Sequence, residues 1–100
     1  MSGQASSVEM SGTANTIITG QLTVNAGRNT AVDKFLCSSV LIKADEHNTG
    51  NVYVGMQGVS THTGFKLAAA QGQEFRTKDS SKVWLAADQD GQLVYYLIEA

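Results

Sequence analysis

Proline is missing altogether from this 100-residue chain. Nothing therefore interrupts a ladder of backbone amide donors, and the absence suits strands that need every N–H. Cysteine occurs once, as Cys37. One thiol excludes an internal disulfide and a Cys-rich metal centre, and suits a protein assembled in a reducing cytoplasm. Charged residues make up 16%, well under the usual quarter, and Ser, Thr, Asn, Gln and Gly take their place. That exchange is common where polar strand faces and turns replace charged helix surfaces. A formal net charge of −2 offers no long-range attraction to phosphate backbones or anionic lipid, so no nucleic acid is expected as a partner. No apolar run approaches the roughly 20 residues that span a bilayer, so no membrane partner is expected either. Residues 1–16 lack a basic segment followed by an apolar one, the pattern of a secretory signal.

What the chain does contain is alternation. In 17–24, Ile18, Leu22 and Val24 share a face with Gly20, while Thr19, Gln21 and Thr23 oppose them. Residues 32–36 predict a second, weaker strand after the Asn25–Asn29 turn. Residues 39–45 alternate more clearly, with Val40, Ile42 and Ala44 on one side and Leu41 and Lys43 on the other. After His47-Asn48-Thr49-Gly50, residues 51–57 resume with Val52, Val54 and Met56 against Tyr53 and Gly55, giving a hairpin. The 65–71 run has helix-forming residues but is too short for a helix, so it reads as a short strand or single turn. A strand with Phe75 inward follows at 73–77. In 82–87, Val83, Leu85 and Ala87 oppose Trp84 and Ala86. Asp88-Gln89-Asp90-Gly91 is a strong turn, and 92–98 is apolar on both faces, Leu93, Tyr95 and Leu97 against Val94, Tyr96 and Ile98. Such a strand needs two covers, one a facing sheet and the other a neighbour or subunit. Seven or eight short strands predict one all-β domain over 17–100, an antiparallel β-sandwich or small barrel.

Residues 1–16 hold one charge, no aromatic side chain and many small polar residues. Alone they bury too little to offset their ordering entropy, so they read as a flexible N-terminal arm. The arm is either a frayed tail or a segment that orders against a neighbouring subunit, with Val8 and Met10 as its apolar contacts.

Catalytic chemistry is sparsely provided for. His47 and His62, near Asp45 and Glu46, are the candidate metal ligands, yet both sit in loops where solvated histidines predominate, so no metal is expected. No Gly-x-Ser-x-Gly elbow or phosphate-loop motif occurs. Cys37, between Leu36 and Ser38, lacks the cationic neighbour of a reactive thiolate. The expectation is a chain that is not an enzyme and needs no cofactor. Aromatic side chains are the remaining lead. Tyr53, Trp84, Tyr95 and Tyr96 are candidate interface residues, able to anchor a partner or to stack on a sugar. For Trp84 sheet packing is the alternative role, and one of the adjacent Tyr95 and Tyr96 must face away from the core.

Residues 39–98 resemble small structural proteins of tailed-bacteriophage virions, the kind that decorate heads or form fibre and tail accessories. The resemblance lies in SVLIKA at 39–44, NTGNVYVG at 48–55 and VS at 59–60. Gly64 with Leu67, GQE at 72–74, VWLAA at 83–87 and VYY at 94–96 complete it. Where such proteins often carry proline before the Gly-x-Glu element, this chain has Gln71. The resemblance implies a β-sandwich of jelly-roll type, assembly on a virion and no catalytic residues. Together with the arm and the two-faced strand 92–98, the resemblance makes a capsid decoration (cement) protein the first expectation, with the major capsid protein of a phage head as partner and a homotrimer as the assembly. A tail or fibre accessory protein and a glycan-binding module stay open beside it.

Overall fold

The computed structural model describes residues 6–9, as backbone, and 16–100. The strands are β1 (Ser6–Glu9), β2 (Thr16–Val24), β3 (Thr30–Ala31), β4 (Ser39–Ala44), β5 (Val52–Gly55), β6 (Phe65–Leu67), β7 (Gly72–Arg76), β8 (Trp84–Ala87) and β9 (Gln92–Glu99). The one helical piece among the described residues is a 3-10 turn at Ser80–Lys82. One sheet runs β1-β2-β9-β4-β7 and the other β3-β8-β5-β6. Setting β1 aside leaves four strands facing four in a fixed order, the two interlocked Greek keys of a jelly roll. Every strand pairing is antiparallel. The expected sandwich is therefore the observed fold.

Its core comes from the alternation in the strands. β4 turns Val40, Ile42 and Ala44 inward, β9 turns Val94, Tyr96 and Ile98, and β2 adds Ile18 and Val24. From the opposite sheet come Val52, Val54, Leu67, Leu85 and Ala87. Most of these side chains are almost fully buried, and each buried Val, Leu or Ile contributes about 1.5–3 kcal/mol. At the edge away from β2, Phe65 of β6 and Phe75 of β7 meet edge-to-face at 6.1 Å, bridging the two sheets.

Tyr96 corrects an expectation. It is 1% exposed, with its hydroxyl donating to Asp33 Oδ2 at 2.7 Å, so it is a core residue and not an interface one. Gly20 makes this possible. The two residues face each other across β2 and β9, and a Cβ at position 20 would lie 2.4 Å from the Tyr96 hydroxyl oxygen. A bare backbone at that rung leaves room for the ring.

One other segment departs from the expected strands, and a second, 65–71, is a short strand followed by a turn, as expected. Over 32–36 no strand forms: β3 ends just before it, at Thr30–Ala31, and Leu36 makes only an isolated bridge to Asp79. The chain beyond β3 is anchored to the 77–83 segment instead. Val32 N–H donates to the Val83 carbonyl and Cys37 N–H to the Lys78 carbonyl, at 3.0 and 2.9 Å. Fully buried Ser80 accepts from Phe35 N–H at 2.7 Å and donates to the Asp33 carbonyl. Over 65–71 the strand ends at Leu67, and Ala70 takes a left-handed φ of 71°. That turn is held by Gln71, whose Oε1 accepts from Ala68 N–H at 2.8 Å.

Part of the expected arm is a strand: β1 pairs with β2 of the same chain, Val8 standing opposite Ile17 in register. Thr16 opens β2, and Met10 with the rest of the arm, 1–5 and 11–15, lies outside the described residues.

Candidate interaction surface

The outward face of the larger sheet follows from the same alternation that builds the core. Side chains on β9 not used inward are Leu93, Tyr95 and Leu97, all half-buried. The register places Leu97 between Thr19 and Leu41, and Tyr95 between Gln21 and Lys43. Among the described residues, nothing beyond these lateral neighbours supplies the second cover that β9 needs. Leu41 is 36% exposed, and with Tyr95, Leu97 and Lys43 it lines a shallow depression of about 310 Å³. An apolar centre inside a polar margin is the usual anatomy of a contact surface.

Polar groups hold this face in place. Asn48 extends the sheet past the end of β4, its Nδ2 donating to the Leu93 carbonyl and its Oδ1 accepting from Leu93 N–H, at 2.9 and 2.8 Å. Behind it, buried Gln92 accepts from Gly50 N–H at 2.8 Å and donates to Thr49 Oγ1 and the Asp90 carbonyl. The Tyr95 hydroxyl donates to Asp45 Oδ1 at 2.9 Å, and Asp45 Oδ2 accepts from His47 N–H at 2.9 Å. These two bonds, that of the His47 amide foremost, hold the Asp45 carboxyl below its ordinary value. The same carboxylate raises the Tyr95 hydroxyl. Tyr95 therefore presents its ring in a fixed orientation.

The other expected residues lie elsewhere. Tyr53 and Trp84 are half-buried on the outer face of the smaller sheet. They sit two rungs apart and so share that face, Tyr53 between Ala86 and Lys66, Trp84 between Ala31 and Gly55. The 56–64 loop folds back across this face, and buried Val59 lies where a Cβ on Gly55 would come within 2.7 Å of its Cγ2. Tyr53 and Tyr95 are thus on opposite outer faces of the sandwich. His47 and His62 are both exposed, in separate loops. Among the described residues no three His, Cys, Asp or Glu side chains group as metal ligands. The Cys37 thiol is half-buried and donates to the Thr77 carbonyl at 3.1 Å. Burial, and then Asp79, push its pKa up, away from thiolate reactivity.

Sequence reasoning named Tyr95 but passed over Leu41, Leu93 and Leu97. The signal was present in the two-sided strand 92–98 together with the outward Leu41 of its neighbour. What was missing was the knowledge that β4 and β9 lie side by side.

No family model matches the chain, and no curated protein does. Among solved structures the chain is similar to the Neisseria meningitidis protein NMB1881, at 13% identity over 97% of this chain and 82% of that one, with a TM-score of 0.43.

Proposed function

We propose that this chain is a non-enzymatic structural protein that docks on a larger protein assembly through the outer face of β2, β9 and β4. The reading favoured is a capsid decoration, or cement, protein of a tailed-phage head. It would assemble in the host cytoplasm, bind the major capsid protein on the outside of the shell as a homotrimer, and stay with the virion. The observation that carries it is the outward stripe of Leu41, Tyr95 and Leu97 on a central pair of strands, over which no described residue lies. Burying apolar surface of this kind contributes about 25 cal/mol per Å² removed from water, and a Tyr flanked by leucines is a typical anchor. The jelly roll is also the fold that the resemblance to virion proteins implies, which supports the reading without carrying it, since one fold serves many functions.

The test is co-sedimentation of the purified chain with emptied heads from a lysate that contains it, beside a Leu97→Asp variant. Saturable binding at a fixed ratio, lost by at least about tenfold in the variant at unchanged thermal stability, is the expected outcome. Undiminished binding by the variant would show that this face is not the docking surface. Absence of binding would move the reading to a tail or fibre accessory role. A glycan reading would instead rest on Trp84 and Tyr53 of the opposite sheet, and it requires tryptophan fluorescence to shift with a sugar from a broad panel.

A further inference from the structure

A second concavity opens between the end of β5, the end of β7 and the start of β8. Its volume is about 450 Å³, within the range of small-molecule sites. Val54, Val83, Phe75 and Met56 supply apolar walls. Val54 and Val83 belong to the core cluster, with Phe75 packed against it, so the cleft reaches toward the sandwich interior. Met56, which lines it, is 70% exposed, a large apolar side chain that the described residues leave in water.

The polar lining is of one sign. Arg76 and Lys82 both line the cleft and both are exposed, and no acidic residue lines it. Among the described residues neither cation forms an ion pair. Lys82 does help hold the Asp79 carboxyl down, but only as a minor contributor behind the Ser81 hydroxyl and amide and the Lys34 ammonium. Four of the chain's seven cations fall within 66–82, against two acids in the same stretch, Glu74 and Asp79. This stretch of an otherwise acidic protein is locally basic.

An apolar slot with cations and no anions at its lining matches a molecule with a hydrocarbon body and one anionic end. We infer that the cleft between β5, β7 and β8 binds a free medium-chain carboxylate, the alkyl chain lying along Val54, Phe75 and Val83 and the carboxylate meeting Lys82 and Arg76. A guanidinium suits a carboxylate because its planar N–H groups match the two oxygens. The inference is independent of the docking reading, since it uses a different part of the molecule.

The experiment is an NMR titration of the full chain with decanoate, kept below its micelle concentration, and with decanol as the neutral analogue. Expected are saturation at one decanoate per chain and amide shifts centred on Val54, Phe75 and Val83. Decanol should bind about twofold to fivefold more weakly, the range for contacts to exposed charges. The variant Arg76→Gln/Lys82→Gln should bind the acid no better than the alcohol. Failure to saturate, equal affinity for acid and alcohol in the parent chain, or shifts centred on Leu41 and Tyr95 would each overturn the inference. The comparison of acid with alcohol needs no variant and stands even if the double substitution fails to fold.

Discussion

Replacing Gly20 by alanine tests whether the packing of Tyr96 against β2 holds the sandwich together. The added Cβ would lie 2.4 Å from the tyrosine oxygen, 2.5 Å from Cζ and 2.9 Å from Cε2. Contacts that short force a movement. The strands cannot easily part, because β2 and β9 pair continuously from Ile17↔Glu99 to Val24↔Gln92. The ring must therefore shift, and it is 1% exposed with core on its other side. Overpacking of this kind costs about 1–3 kcal/mol. Moving the hydroxyl off Asp33 Oδ2 adds about 1.5–3 kcal/mol, the worth of a hydrogen bond to a charged group. Against this, alanine restricts the unfolded chain and returns about 0.4–1 kcal/mol. The net expectation is a loss of about 1.5–5.5 kcal/mol, a large share of a domain's total stability. Urea unfolding followed by tryptophan fluorescence measures it. A double-mutant cycle sharpens the result: in a Tyr96→Leu background the same Gly20→Ala change should cost less than about 1 kcal/mol. An equal cost in both backgrounds would refute the steric account.

Leu85 and Leu97 separate core from outer face: Leu85→Ala should cost about 2–5 kcal/mol, since Leu85 is wholly buried. Leu97→Ala should cost under about 1.5 kcal/mol, because its face is half-solvated; equal losses in urea unfolding would contradict the assigned register. Asp45 and Asp79 sit below the ordinary aspartate value of 3.8, Asp45 through the His47 amide and Tyr95 hydroxyl, Asp79 through the Ser81 hydroxyl and amide. A depressed folded pKa contributes stability that is complete above the unfolded value and drains away as pH falls through the folded one. Thermal unfolding should therefore be flat above about pH 5 and weaken toward pH 2, with a shallower fall in Asp45→Asn; an unchanged slope in that variant would exclude Asp45 as a contributor. Ala70 holds a left-handed φ of 71°, so Ala70→Gly should stabilise the fold by about 0.5–1 kcal/mol, and a lowered melting temperature would show that the turn is unstrained.

Much of this architecture was legible because period-2 alternation is read directly from residues. Val40, Ile42 and Ala44, or Leu85 and Ala87, point inward where the pattern placed them. For β9 the pattern was silent, since both faces are apolar. The face was decided by a residue 76 positions away, Gly20, whose missing side chain admits Tyr96. A glycine inside a strand signals a close approach, but not by what. The 32–36 segment looked strand-like because its apolar spacing is real; buried Ser80 claims its backbone groups instead. The outer-face stripe was half visible, in that the two-sided strand demanded a second cover. Joining Leu41 to Tyr95 and Leu97 required the crossover order of the strands, which no local pattern encodes.

The position of β9 bears on how the molecule is made. It lies between β2 and β4 and joins them, yet it is synthesised after every other described strand. Until residues 92–99 leave the ribosome, β2 has no partner on its β9 side and Leu22, Val24, Val40 and Ile42 lack the strand that aligns them. Contacts between such distant segments form slowly. A nascent chain that stalls before residue 92 would expose two open sheet edges, a state prone to cling to other strands. Efficient production of this protein therefore depends on brisk completion of its final strand or on a chaperone that shields β2 and β4 until it arrives.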